Sequence, residues 1–206
     1  KPADVEALMA TPFAGTSATV DAALVEKIAV IGEKISIRRF AIVEGTLSTY
    51  IHGTGTTGVI VKFETSADVA GNEKFAEFAK NIALQVAAMP VLYLDKESVP
   101  ESALEEEKQI LMTQIKNDEK NANKPDSIIE KMVTGKIGKF YDTNCLMFQE
   151  YVKDDAKKVA EYVADEAKAL GGDIKVCEFL RFEKGEGIEK KEDDLADEVA
   201  KLAGLK

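Results

Sequence analysis

The sequence predicts an α+β fold: an antiparallel sheet of about three to four strands covered by helices, with an inserted antiparallel coiled-coil hairpin and a C-terminal helical module. Three observations predict it. Segments of period-two hydrophobicity, rich in β-branched residues, fall early and late in the chain. Helical spacing dominates between them. Two strongly charged helical segments in the middle carry only thin apolar stripes. Strands grouped in this way argue against repeated βαβ units and a parallel sheet.

The elements follow in order. Residues 3–10 fit a short helix, and Pro12, Gly15, Thr16 and Ser17 mark a loop. Val20, Leu24, Ile28, Ile31 and Ile35 recur at helical spacing, which predicts an amphipathic helix over residues 18–34. Residues 36–44 are β-branched and predict a strand. Gly45-Thr46 turns the chain into a second strand over residues 47–52. Residues 59–64 alternate cleanly, with Val59, Val61 and Phe63 on one face. Phe75, Phe78, Ile82 and Val86 form one stripe of a helix over residues 72–88, which Pro90 ends.

Residues 100–119 are strongly charged, with Leu104, Leu111 and Ile115 spaced seven and four apart. A polar loop over residues 117–125 follows. Ser127 and Glu130 then fit a capping box, and Ile129, Met132, Val133, Ile137 and Phe140 continue helically. Two helices with narrow seams and a short loop predict the coiled-coil hairpin. Residues 153–170 read as an amphipathic helix stopped by Gly171-Gly172. Residues 173–184 alternate again, with Ile174, Val176, Leu180 and Phe182 against Cys177 and Phe179. Apolar residues on both faces predict a central strand. Leu195, Val199 and Leu202 place a last helix over residues 189–202.

Composition excludes several function classes. The length of 206 residues allows one or two domains. With 27 basic and 37 acidic residues the net charge is -10, so no dense basic face is available for nucleic acid. The two cysteines, Cys145 and Cys177, and the one histidine, His52, are too few and too scattered for a zinc site or a disulfide framework. No apolar run approaches the roughly 20 residues of a membrane span, and no signal peptide opens the chain. A cytoplasmic protein with no cofactor, no metal, no nucleic acid and no membrane association is expected.

One motif demands a decision. Gly53, Gly55 and Gly58 spell G-x-G-x-x-G, the fingerprint of a dinucleotide loop. That loop needs a helix after it, whose N-terminus holds the pyrophosphate. Here Val59-Ile60-Val61-Lys62-Phe63 follows, which reads as a strand. A glycine-rich link between two β-rich runs is a hairpin turn, with glycines for positive φ. Arg38-Arg39 could hold an anion, or equally pair with carboxylates across the sheet. Acidic runs such as Glu105-Glu106-Glu107 read as solvated helix faces. The residues alone therefore describe a binding module rather than an enzyme.

Four stretches together resemble the bacterial elongation factor Ts family. They are IGEKISIRRF (31–40), YIHGTGTTGVIV (50–61), IIEKMVTGKIGKF (128–140) and FLRFEKGEGIEKKEDDLADEVA (179–200). The resemblance implies a guanine-nucleotide exchange factor that binds elongation factor Tu and promotes GDP release, with no covalent chemistry and no catalytic residue. It implies a layout too: residues 1–33 as a remnant of the core's N-terminal subdomain, 34–96 and 142–186 as its C-terminal subdomain, 97–141 as the coiled-coil insertion and 187–206 as a C-terminal module. Partner contacts would fall on Tyr50, His52, Gly53 and Thr54 at the hairpin, and on Ile188, Leu195 and Val199 in the last helix. For Leu195 and Val199, core packing fits the same spacing equally well.

The family also opens with a ubiquitin-associated-like domain and a Thr-Asp-Phe-Val motif that disturbs the magnesium site of Tu. Neither occurs here, so the chain is expected to be a piece cut inside the core domain. The alternative reading is an interaction or dimerisation fragment that binds Tu without catalysing exchange. A homodimer or a Tu2Ts2-type assembly is consistent with the resemblance.

Overall fold

A computed structural model describes residues 1–118, 120–121 and 124–187. They form two units, residues 1–44 and residues 45 onward. The first unit holds helices α1 (Val5–Met9) and α2 (Val20–Ile31). Each has a side-chain cap at its N-terminus: Asp4 accepts from the Ala7 N–H at 2.7 Å, and Thr19 from the Ala22 N–H at 3.2 Å. Gly32 ends α2 with φ of 80°. None of residues 1–44 is buried, so the apolar spacing of α2 does not translate into a core within this unit. Residues 36–44 do not form the expected strand. A strand is held by ladder hydrogen bonds to a neighbour, and no strand within residues 1–44 provides one.

The second unit is built around a three-stranded antiparallel sheet. Strands β1 (Thr46–His52), β2 (Thr57–Thr65) and β5 (Ile174–Glu183) lie in the order β1-β2-β5. Helices α3 (Ala67–Ala70) and α4 (Glu73–Ala88) follow β2. Helices α5 (Glu101–Asn117) and α6 (Asp126–Asn144) come next. A 3₁₀ turn (Leu146–Phe148) then leads into the ribbon of β3 (Glu150–Tyr151) and β4 (Asp154–Lys158), and helix α7 (Val159–Leu170) precedes β5. The α+β class and the antiparallel sheet are as the sequence predicts.

The alternation of β2 is realised fully. Val59, Val61 and Phe63 are buried and point at α4, whose Phe75, Phe78, Ile82 and Val86 meet them. Phe78 is the centre of this core. Its ring lies 5.8 Å from Phe63, 6.0 Å from Phe75 and 5.4 Å from Tyr162 of α7, all tilted rather than face to face. Tilted pairs satisfy the ring quadrupoles while excluding water. Tyr162 in turn stacks on Tyr151 at 4.1 Å and accepts from Asn81 of α4 at 3.1 Å.

β5 differs from its sequence reading in two ways. It is an edge strand, and β2 is central. Lys62 pairs with Glu178 but Phe63 pairs with Val176, so Cys177 is an extra residue, a β-bulge. A bulge reverses which side chains face inward. Ile174 and Val176 join the core before it and Phe179 after it, whereas Leu180 and Phe182 pair with Ile60 and Gly58 on the opposite face. The period-two pattern assigned Ile174, Val176, Leu180 and Phe182 to one face because it carried no signal for the inserted residue.

Two helix starts also differ. α6 begins at Asp126 behind Pro125 with no side-chain cap, so the Ser127–Glu130 capping box does not form. The start is held instead by an ion pair of 3.2 Å between Lys116 of α5 and Asp126. Residues 154–158, read as the first turns of a helix, pair with β3 as strand β4. The helix then starts at Val159, where the Glu161 carboxylate accepts from the Lys158 N–H at 2.9 Å. Gly171 ends α7 with φ of 71°, as the sequence requires.

α5 and α6 pack as a helical hairpin with an apolar seam of their own. Leu111 and Ile115 meet Ile129, Val133 and Ile137, apart from the sheet core. At the root of this hairpin two glutamines carry a buried polar network. Gln85 of α4 and Gln149 after the 3₁₀ turn are 0% and 1% exposed. The Gln85 amide donates to Gln149 Oε1 and to the Glu150 carbonyl, each at 3.1 Å, and its oxygen accepts from the Val152 N–H at 2.7 Å. Gln149 donates to the Thr143 carbonyl at 2.6 Å and the Pro90 carbonyl at 3.3 Å. Replacing Gln149 with leucine strands these carbonyls and a Gln85 N–H without water. The expected cost is about 2–4 kcal/mol, each orphaned group costing roughly 1–3 kcal/mol. Urea unfolding of Gln149→Leu checks it; an unchanged midpoint would mean the network is not structural.

Candidate functional site: a hairpin tip and the exposed sheet face

The β1–β2 turn is the four residues Gly53, Thr54, Gly55 and Thr56. The ladder closes at His52 opposite Thr57. The His52 carbonyl accepts from the N–H groups of Gly55 and Thr56, both at 3.2 Å, and from the Thr56 hydroxyl at 3.3 Å. Gly53 and Gly55 have φ of 59° and 90°. At these values a Cβ is strained, which explains two of the three motif glycines. Gly58 is different. It lies inside β2 without positive φ, and the Ile51 Cδ1 lies 3.8 Å from where a Cβ would stand. After Gly58 the chain is strand, so the helix that a dinucleotide loop requires does not follow the motif.

The tip is braced from β5. The Lys184 N–H donates to the Thr56 carbonyl at 2.7 Å, and Glu186 closes a turn back onto Glu183. Arg181, inward-facing after the bulge, donates to the Met89 carbonyl at the end of α4 at 3.2 Å and pairs with Glu183 at 3.0 Å. A cation at a helix C-terminus meets the negative end of the helix dipole. Sequence reasoning missed Arg181 because the bulge hid its parity. The one available signal was an arginine flanked by apolar residues, Leu180 and Phe182.

Of the sequence-predicted contact residues, the fold brings four together. Tyr50 is half-buried against the sheet core, and its hydroxyl shares a 3.2 Å hydrogen bond with His52 Nδ1. Their rings are 5.9 Å apart at 44°. His52, Gly53 and Thr54 are exposed at the tip. Ile188, Leu195 and Val199 lie outside the described residues, as does the C-terminal module. Among the described residues, no group of three or more His, Cys, Asp or Glu side chains is placed to hold a metal ion.

Cys145 is fully buried, and its thiol lies 3.4 Å from the Asp95 carbonyl. Burial, aided by the Asp95 carboxylate, raises its pKa to about 11. A thiol held neutral in this way is packing material rather than a nucleophile.

The sheet face turned away from α4 carries a second feature. Register places Ile51, Gly58 and Phe182 in one row, Thr49, Ile60 and Leu180 in the next, and Leu47, Lys62 and Glu178 in the third. Ile51 is 66% exposed, and Leu47 and Phe182 are exposed too. Lys62 and Glu178 form an ion pair of 3.3 Å at the polar end of this patch. An apolar strip beside a polar tip is equipped to recognise a protein surface.

The elongation factor TS family model matches residues 1–186. Curated relatives bear the name elongation factor Ts. That of Trichlorobacter lovleyi is 45% identical over 210 residues, covering 100% of this chain and 66% of the relative. That of Syntrophotalea carbinolica is 39% identical over 205 residues, with coverage of 98% and 66%. That of Clostridium kluyveri is 44% identical over 188 residues, with coverage of 90% and 59%. The chain thus spans 59% to 66% of the length of these relatives. No described helix is long and apolar enough to cross a membrane.

The turn geometry makes a direct prediction. Gly55→Ala places a Cβ at φ of 90° and should destabilise the fold by about 1–2 kcal/mol, the cost of a left-handed residue with a Cβ. Gly138→Ala, in an open helical position, should instead stabilise by up to about 1 kcal/mol. Thermal melts of both variants check the contrast; equal shifts would contradict it.

Proposed function

The chain belongs to the elongation factor Ts family, and from that premise we propose that it binds elongation factor Tu and promotes release of GDP from it. No covalent step is involved. The factor acts by binding the nucleotide-free partner better than the GDP form, so GDP and factor weaken each other by the same ratio. The contacts must differ between the two states of the partner to supply that ratio. The single observation that carries the reading is that the family match runs over residues 1–186, through a hairpin whose tip is exposed, polar and rigidly braced.

In this reading Tyr50 positions His52, and His52, Gly53 and Thr54 meet the partner. Ile188, Leu195 and Val199 would add contacts beyond the described residues. The division into a core remnant (1–33), a C-terminal subdomain (34–96 and 142–186), a coiled coil (97–141) and a C-terminal module (187–206) belongs to the same proposal. So does a cytoplasmic site of action, where translation takes place.

A second reading is a module that docks on Tu, or on a second copy of itself, without accelerating exchange. The exposed side chains of Ile51 and Leu47 on one face of β1 favour a homodimer or a Tu2Ts2-type assembly, because apolar surface is costly to leave in water. Ile51→Lys should then abolish any dimer seen by sedimentation equilibrium. A dimer that survives the substitution would place the interface elsewhere.

Release of fluorescent GDP from elongation factor Tu, with and without the chain, tests the main reading. Acceleration of at least tenfold is expected, with His52→Ala and Thr54→Ala together losing most of it at unchanged stability. Binding without acceleration would leave the docking module. Neither binding nor acceleration would overturn the function for this chain.

A further inference from the structure

A surface outside the hairpin tip and the sheet is equipped for a different partner. At the root of the α5–α6 hairpin lies a groove of about 540 Å³. Its floor is Leu92, Leu111 and Phe140. Leu92, on the connection after α4, is 64% exposed and Phe140 is half-buried beside Tyr93, whereas Leu111 is buried in the hairpin seam and only its edge borders the groove. Lys136 and Lys139 stand on the α6 rim and Glu107 on the α5 rim.

The charges decide what fits. Among the described residues the ammonium groups of Lys136 and Lys139 have no hydrogen bond or ion pair, as holds also for Lys80 and Lys131; what sets them apart is that both stand on one rim of an apolar groove. Two cations three residues apart on one helix face repel each other, a cost that an opposing anion removes. The single carboxylate opposite them, Glu107, asks for a neutral or basic group on the far side. A phosphate backbone would meet an apolar floor and Glu107, so nucleic acid is the poorer match.

We propose that this groove is a docking site for an acidic amphipathic helix of a partner protein. The helix lays one or two apolar side chains over Leu92 and the half-buried Phe140 and sets carboxylates against Lys136 and Lys139. This is helix-in-groove recognition, in which apolar anchors give affinity and rim charges give orientation. The site does not depend on the hairpin tip or on the Tu reading.

The test uses the full chain, ¹⁵N-labelled, and two synthetic helical peptides of about 15 residues, a length at which isolated helices begin to hold. Both carry leucines at i, i+3, i+4 and i+7. One carries glutamates and the other lysines between them. The glutamate peptide should shift amide resonances of Leu92, Leu111, Lys136 and Phe140 and bind at least tenfold tighter than the lysine peptide. Lys136→Glu combined with Lys139→Glu should weaken it about tenfold and reverse the preference, at an unchanged melting temperature. Leu92→Ala should weaken both peptides alike. Equal affinity for the two peptides, or shifts confined to other elements, would overturn the proposal. So would self-association that the double lysine reversal abolishes, which would assign the groove to a second copy of this chain.

Discussion

The Gln85–Gln149 amide pair is the constraint around which the second unit is assembled. Between α4 and β5 the chain runs out through α5, back through α6 and into a short β ribbon. These segments must return to the same place for the sheet core to close. Two buried glutamines secure that return by accounting for carbonyls or N–H groups of Pro90, Thr143, Glu150 and Val152 at once. The exit and re-entry also pair directly, with the Leu92 and Tyr93 N–H groups donating to the Asn144 carbonyl, Leu146 to Tyr93 and Met147 to Leu94. The glutamines add the neighbouring carbonyls of Pro90 and Thr143, which inside a core must be paired. The amides do this where water is excluded, so the arrangement has one satisfied geometry. The aromatic cluster about Phe78 supplies the burial; the amides and the backbone bonds between residues 92–94 and 144–147 together root the hairpin.

Much of this was legible in the sequence because it rests on periodicity alone. Val59, Val61 and Phe63 on one face of β2, and Phe75, Phe78, Ile82 and Val86 on one stripe of α4, needed no knowledge of partners. The thin seams of α5 and α6 were legible for the same reason. What failed depended on a partner in space. Residues 36–44 have β propensity but no neighbouring strand within their unit. Residues 154–158 fall inside the amphipathic helix that the sequence predicts over residues 153–170, but pairing with β3 makes them strand. The bulge at Cys177 inserted one residue, and everything after it changed face.

The candidate site was readable in part for the same physical reason. Gly53 and Gly55 announce a turn, and the strand after Gly58 rules against a phosphate-binding helix end. The family resemblance selects Tyr50, His52, Gly53 and Thr54, and the structure puts them at one hairpin tip. The support of Thr56 from Lys184 and the reach of Arg181 to Met89 join residues far apart in the chain and leave no local trace. The sheet then has two unlike faces. One is filled by α4 and α7, and the other carries Ile51, Ile60, Leu180 and Phe182 outward. A tip braced by Lys184 beside a face that leaves Ile51 and Leu47 exposed suits recognition of a protein surface, which the proposed exchange function requires: its effect would be the difference in grip on two states of the partner.

Amide hydrogen exchange, measured on the chain alone and with nucleotide-free elongation factor Tu, tests this account most directly. The account predicts that exchange slows at residues 52–58 and at the supporting turn of residues 184–187, and that adding GDP reverses the protection. An unchanged hairpin in a formed complex, with protection confined to α5 and α6 or to residues 1–44, would contradict it.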